Sequence, residues 1–288
     1  MLNRLPRLVM AAVTAAAALV VPLAAPAAAD PPRCTPSTEH PYPVVLLHGT
    51  FSNRDVWKSL RPKLDSAGYC TYVVEYGHDE SSTMGNQPGV YGTAPVTASV
   101  EQVAMQVRKV FELTGAAKVS LVTHSQGGLI ARLLTTRAGG GAEKVDTVVS
   151  LAGTQNGTTA LGVSEAADAL GISVDSPAGE AAAKVAGQAA VDQLTNSPLM
   201  QVLHQEANTA KGVRYLSVYT DDDTVATPAA QAGAWDTDGP AKAVWNVNVR
   251  ECLRPNTPVG HSAIVDLPAT EHLTLWALGH GEGTRPHC

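Results

Sequence analysis

The 288-residue chain has no excess of basic residues, with 20 Lys and Arg against 26 Asp and Glu and a formal charge of −6. A surface of that sign does not attract nucleic acid or an anionic membrane. No CxxC or HxxxH spacing occurs among its four cysteines and nine histidines, so no metal site and no cofactor is expected. No internal repeat is present. No charged stop-transfer segment follows the apolar stretch from Leu8 to about Ala25, which Pro22 and Pro26 interrupt, and this argues against a membrane anchor. No cysteine lies near the end of that stretch, which argues against a lipid anchor as well.

What the N-terminus does contain is Arg4 and Arg7, then the apolar stretch, then Ala27-Ala28-Ala29 before Asp30. That order is an export signal with a small-residue cleavage site, so residues 1–29 are expected to be a signal peptide and the mature protein to be secreted. Residues 30–288 then suit one large α/β domain or two small ones, and a single catalytic domain is the expectation. Removing the two arginines moves the formal charge from −6 to −8. All four cysteines fall in the exported part, where an oxidising compartment favours disulfides. Cys34 and Cys70 flank the first strand–helix unit, and Cys252 and Cys288 bracket the C-terminal segment. The pairs Cys34–Cys70 and Cys252–Cys288 are expected, one of three connectivities that four cysteines allow.

Short apolar runs recur along the chain. Residues 43–48, 69–74, 118–122, 145–151, 213–219 and 244–249 read as buried strands. Helical spacing appears between Asn53 and Gly68, and Val100, Val103, Val107 and Val110 share one helical face that Gly115 stops. Ser99 and Gln102 have the spacing of a capping box for that helix. A closing helix is expected over 270–278. This alternation predicts an α/β fold, a mostly parallel central sheet with helices on both faces. Residues 77–95 are glycine- and proline-containing, hence a long loop. Residues 154–208, rich in Ala and Gly, break the pattern and read as helical excursions above the sheet. Two readings stand for them, a mobile lid over an active site or a packed insertion.

The chemistry centres on Thr123-His124-Ser125-Gln126-Gly127, between the strand at 118–122 and the helix after Gly127. A serine at a strand-to-helix turn with glycine two positions later matches the nucleophile elbow, which pushes Oγ out above the sheet. Thr123 stands where the elbow usually has its first glycine, so the packing there must accommodate a methyl group. Gln126 opens the helix, with its N–H aimed where an oxyanion would develop. A serine nucleophile needs a base and an orienting carboxylate. Asp221, Asp222 and Asp223 all follow the strand at 213–219; an acidic solvated loop or a cation site is the alternative for the triplet. His261 alone among the histidines sits in a loop after the last strand, whereas His124 is expected to point away from the turn. Thr50, in His48-Gly49-Thr50-Phe51 at the end of the first strand, is placed to supply a second oxyanion N–H, and its hydroxyl a third hydrogen bond. Phe51 and Trp57 either line an acyl pocket or pack in the core.

The segments VVLLHGTFSN, LVTHSQGG, SVYTDDDTVATP and VGHSAIVDLP, in order across residues 44–268, resemble the secreted bacterial lipases of the α/β-hydrolase fold. AVDQLTNSPLMQVLHQEAN is similar to their segment before the acid-bearing strand. The family's D-x-V-x-x-P pattern falls on Asp223 to Pro228, so the resemblance implies a triad of Ser125, Asp223 and His261 with Thr50 and Gln126 as oxyanion donors. It further implies hydrolysis of acylglycerols or other carboxylic esters without a cofactor. A lipid or other ester substrate, transient contact with a lipid–water interface and a monomeric chain complete the expectation. Short-chain esterases, acyltransferases and polyester hydrolases share the triad. A catalytically silent binding protein of the same fold is the reading of another class, and the joint occurrence of triad and oxyanion residues argues against it.

Overall fold

Apolar residues alternate between two sides of the strands, and the helices sort accordingly. In the computed structural model, which describes residues 34–137, 141–160, 173, 176–255 and 257–281, β1 (Val44–Leu47) is fully buried. Val45 and Leu47 join a cluster with Val103, Val107 and Val110 of α2 (Val96–Thr114) and Leu129, Ile130 and Leu133 of α3 (Gln126–Thr136). Val44 and Leu46 join another with Leu60 and Leu64 of α1 (Leu60–Ser66) and Leu273 and Ala277 of the last helix, Pro268–Leu278. Successive side chains of a strand point to opposite faces, so helices cover both. Full burial of each such side chain stabilises the fold by roughly 1.5–3 kcal/mol.

The remaining strands are β2 (Thr71–Val74), β3 (Val119–His124), β4 (Val145–Leu151), β5 (Arg214–Tyr219) and β6 (Ala243–Asn248). Among the described residues they form a six-stranded sheet in the order β2-β1-β3-β4-β5-β6, parallel throughout. The chain moves one way from β1 to β2 and the other way from β1 to β3. Strand order therefore reverses at β1/β3, and the crevice at the carboxyl ends of these two strands is where ligands bind in open α/β sheets. Thr50 and Ser125 lie just past those two ends.

Two local expectations need correction. The capping box at Ser99 and Gln102 does not form, because α2 starts three residues earlier, after Pro95. Ser99 is buried within the helix, and the Gln102 carboxamide oxygen instead accepts the Gly77 N–H at 2.8 Å. The first turn is capped from afar, the Val96 N–H donating to Asp192 Oδ2 at 2.9 Å. The span between Asn53 and Gly68 is also not one helix. A 3₁₀ turn at Arg54–Trp57, capped by Asn53, precedes α1.

After the short helix α4 (Gly141–Lys144), the segment at 154–208 contributes α5 (Pro177–Ala186), α6 (Gln188–Asp192) and α7 (Pro198–Leu203). Helix α5 has no buried residue. In contrast, Ala189, Met200 and Leu203 have no exposed surface and belong to the core of the α2/α3 face. Residues 188–203 thus pack into that core; residues 161–172 and 174–175 of the 154–208 segment, for which both readings stood, lie outside the described residues, as does the expected signal peptide at 1–29. Helix α8 (Ala229–Ala232) and the closing helix α9 (Pro268–Leu278) complete the fold.

Cys34 and Cys70 are joined by a disulfide. Cys288, the expected partner of Cys252, lies outside the described residues. Closing a loop with a sequence separation of 36 constrains the unfolded chain, so replacing both Cys34 and Cys70 by Ala is expected to lower the unfolding free energy by about 2–4 kcal/mol. Urea denaturation of the oxidised parent and the double variant checks this.

Candidate active site

The turn at Ser125 has φ 54° and ψ −122°, a region that side-chain-bearing residues seldom occupy. Three backbone bonds hold it. Ser125 N–H donates to the Leu151 carbonyl at 3.0 Å, and the Ser125 carbonyl accepts from Gly128 at 2.9 Å and Thr154 at 3.2 Å. Glycine makes room on two sides: a Cβ at Gly49 would lie 2.7 Å from the Ser125 Cβ, and one at Gly127 would lie 2.7 Å from the Leu47 carbonyl oxygen. Thr123 occupies its unusual position by turning its hydroxyl onto the Val149 carbonyl at 3.2 Å.

The structure brings the other candidate residues to the same end of the sheet. His261 Nδ1 lies 2.7 Å from Asp223 Oδ2, and that carboxyl group is 1% exposed. Asp223 Oδ1 accepts the N–H groups of Val225 at 2.7 Å and Ala226 at 2.9 Å. This bonding orients the imidazole with Nδ1 toward the acid and Nε2 away from it. The neighbouring carboxylates are committed to the loops around the pair. Asp222 Oδ2 accepts the Val259 N–H at 3.0 Å and pairs with Arg250 Nε at 3.3 Å, while Asp221 Oδ2 accepts from Asn248 Nδ2 at 2.5 Å. Among the described residues no cluster of potential metal ligands occurs.

A cavity of about 520 Å³ opens over Ser125 and His261, with Thr50, Phe51, Leu194 and Val225 among its walls. Its size suits a small organic ligand. Phe51 and Val225 are 43% and 48% exposed at this cavity, whereas Trp57 is buried in the core. At the end of β1 the His48 imidazole has both nitrogens engaged. Nδ1–H donates to the Gly49 carbonyl at 2.8 Å, Nε2 accepts the Tyr76 N–H at 3.3 Å, and the ring stacks on Tyr76. Burial holds its pKa down to about 4, against a partial opposing effect of the Gly49 carbonyl.

One participant carries no signal in the sequence. The Thr50 hydroxyl accepts Nε2–H groups from Gln126 at 3.0 Å and from Gln193 of α6's C-terminal end at 2.8 Å. Each amide is itself oriented by a carbonyl, Gly92 for Gln126 at 3.1 Å and Ala189 for Gln193 at 2.8 Å. A hydroxyl has two lone pairs and one hydrogen. With both pairs occupied, the Thr50 O–H is left as a donor into the cavity that Thr50 lines. Gln193 is an ordinary polar residue in an Ala-rich stretch, and only the fold reveals its contact with a residue 143 positions away. His124 also differs from expectation: it does not point away from the site but lines the cavity, and its Nε2 lies 3.0 Å from the His261 carbonyl.

A family model described as lipase (class 2) matches residues 41–256. A triacylglycerol lipase of Pseudarthrobacter phenanthrenivorans is 35% identical over 103 residues, which are 34% of this chain and 29% of that protein. The match therefore spans less than a third of that curated relative's length. Among solved structures, Aspergillus fumigatus lipase B superposes with a TM-score of 0.62 at 17% identity, covering 86% of this chain and 54% of that one. Bacillus licheniformis lipase BlEst2 in mature form gives a TM-score of 0.55 at 13% identity, covering 84% and 94%. With the sheet order described above, these likenesses show the α/β-hydrolase fold.

The buried imidazoles make stability depend on pH. His48 and His124 have pKa values held down to about 4 and about 3, burial being the largest cause for each. An unfolded histidine titrates near 6.5. The unfolded chain thus binds more protons in this window, so their share of stability is full above about pH 6.5 and is lost as pH falls toward 4. Each group is expected to contribute a slope of about 1 kcal/mol per pH unit near pH 5. Urea unfolding between pH 7 and 4.5 should show that slope reduced by about this amount in His48→Gln; an unchanged slope contradicts a neutral buried His48.

Proposed function

The chain belongs to the class 2 lipase family, and from that premise we propose that it is a secreted hydrolase of carboxylic esters, triacylglycerols foremost, working through an acyl-enzyme on Ser125. The observation that carries this reading is the strained turn presenting Ser125 to a cavity it shares with His261, whose far ring nitrogen meets Asp223 at 2.7 Å. Ser125 Oγ attacks the ester carbonyl carbon while His261 Nε2 takes its proton. Asp223 keeps the imidazole in the required tautomer and stabilises its charged form. His261 then gives the proton to the leaving alcohol as the carbon–oxygen bond breaks. Water, deprotonated by His261, attacks the acyl-serine, and proton return to Ser125 releases the acid. No cofactor enters the cycle.

The tetrahedral oxyanion is received by the N–H groups of Thr50 and Gln126, and by the Thr50 hydroxyl that Gln126 and Gln193 leave free to donate. One such donor contributes roughly 3 kcal/mol to transition-state stabilisation. The hydroxyl cannot turn its hydrogen onto either neighbour, since both present N–H groups to it; its orientation is set before substrate arrives.

Acylglycerol as the substrate class is supported by the apolar residues Phe51, Leu194 and Val225 around the cavity and by the triacylglycerol lipase relative. The exposure of Phe51 and Val225 suits transient contact with a lipid–water interface. The Cys34–Cys70 disulfide suits an oxidising destination, and among the described residues no helix is long and apolar enough to cross a membrane.

Hydrolysis of p-nitrophenyl esters from acetate to palmitate, with emulsified triacylglycerol, tests the proposal. Long-chain esters and emulsion should be cleaved, and Ser125→Ala should lose at least about 10⁴-fold in kcat. Activity confined to short soluble esters would make the enzyme an esterase, and activity surviving in Ser125→Ala would remove the serine from the mechanism. Thr50→Val keeps the backbone donor but not the hydroxyl, and should lower kcat by about 10–10³-fold with little change in KM.

A further inference from the structure

The loop that carries His261 is anchored on both sides of that residue: a 3₁₀ turn at Ala263–Asp266 with buried Ile264 and Val265 follows it, and the Ala263 N–H donates to the Gly260 carbonyl at 3.1 Å. Its approach is tied at Val259, whose N–H donates to Asp222 and whose carbonyl accepts from the Thr220 hydroxyl at 3.3 Å. A Cβ at the next residue, Gly260, would meet nothing within 4 Å. At His261 itself two contacts remain. The ring meets Asp223 through Nδ1, and the backbone carbonyl meets His124 Nε2 at 3.0 Å. The first contact ties the side chain to the loop of the acid, and the second ties the backbone of residue 261 directly to the strand end that leads into Ser125.

We infer that His124 is a positioning residue for the base: held rigidly in the strand end that leads into Ser125, it grips the His261 carbonyl and so sets how far the base stands from the nucleophile. This role presupposes Ser125 as nucleophile and His261 as base. Its chemistry follows from the partner. A carbonyl oxygen only accepts, so Nε2 carries the hydrogen and Nδ1 is left as a bare acceptor. Nδ1 is buried and has no hydrogen-bond partner. Leaving a buried acceptor unsatisfied costs stability that an apolar ring of the same size would not, so the polar ring is explained by its donor. β3 delivers that donor with little slack, since His124 is its last residue, paired in register with Leu151 of β4.

Neutrality matters as much as reach. The ring centroids of His124 and His261 are 4.9 Å apart, so a charged His124 would oppose formation of the imidazolium on His261. The titratable groups that act on His124 are His261, Asp223 and His48. Burial, His261 and His48 hold its pKa down, and the hydrogen bond to the His261 carbonyl and the Asp223 charge do not overcome them.

Three variants of the full mature chain separate donation from ring size, each measured on p-nitrophenyl butyrate per active site titrated to completion with a fluorophosphonate. His124→Phe keeps the ring and loses the donor. His124→Asn keeps an amide that falls short of the carbonyl, and His124→Gln places an amide nitrogen where Nε2 stood. Phe and Asn should lower kcat per site about 10–100-fold with KM within about threefold of the parent, the scale expected when a reacting group is misplaced by about 1 Å. Gln should recover most of that loss. Should His124→Phe not fold, the Asn and Gln pair carries the same comparison. The role is overturned if Phe and Asn keep the parental kcat per site, if Gln falls as far as they do, or if only the number of titratable sites falls. An inactive parent, or an active Ser125→Ala, would instead overturn the ester-hydrolase reading itself.

Discussion

Ser125 is held at backbone angles that residues with a side chain rarely adopt, and much of the structure around it exists to hold that turn. The strain costs of the order of 1–3 kcal/mol and persists only where the surroundings over-determine it. Here they do. β3 and β4 are buried along their whole length, the turn is bonded to Leu151 and Thr154, and α3 leaves it into a buried face. Gly49 and Gly127 stand where any side chain would collide with the turn or with the end of β1. The same closeness brings the chain after β1 against the serine, so a single packing constraint places the proposed nucleophile and the Thr50 donor together.

The site is completed by parts of the chain that a minimal strand–helix alternation would not need. Residues 188–203 are packed into the core rather than laid over it, and from there Gln193 reaches Thr50 while Asp192 caps α2. The insertion therefore serves the fold and the Thr50 side of the cavity at once. On the opposite side the acidic triplet does related work. Asp223 meets His261, and Asp222 holds the loop two residues before it. Polar side chains, each with an assigned partner, thus hold both the proposed base and the proposed oxyanion donors.

The strands are legible because parallel, doubly covered strands are written as short apolar runs, and each of the six falls within two residues of its run at either end. The location of the candidate site was legible for a related reason. In a parallel sheet the loops after successive strands share one edge, so the order Ser125, Asp223, His261 already implied a common location, and the structure brings the three to that edge. What stayed hidden depends on contacts between distant residues. Ser99 and Gln102 have a local capping pattern, yet the cap comes from Asp192, 96 positions on. His124, expected to point away from the turn, instead reaches with its ring to the backbone of residue 261. Gln193 has no local pattern at all. Such polar links are set by how the elements pack, and no periodicity of the chain records them.

Ser125 is the proposed nucleophile, made reactive by its turn and by His261. Peptide mass spectrometry of the mature chain after reaction with a fluorophosphonate tests it most directly. One adduct per chain, on the peptide and the atom of Ser125, and none in a His261→Ala variant over the same time, is the predicted result. An adduct on another residue, or an unlabelled folded chain, would contradict it.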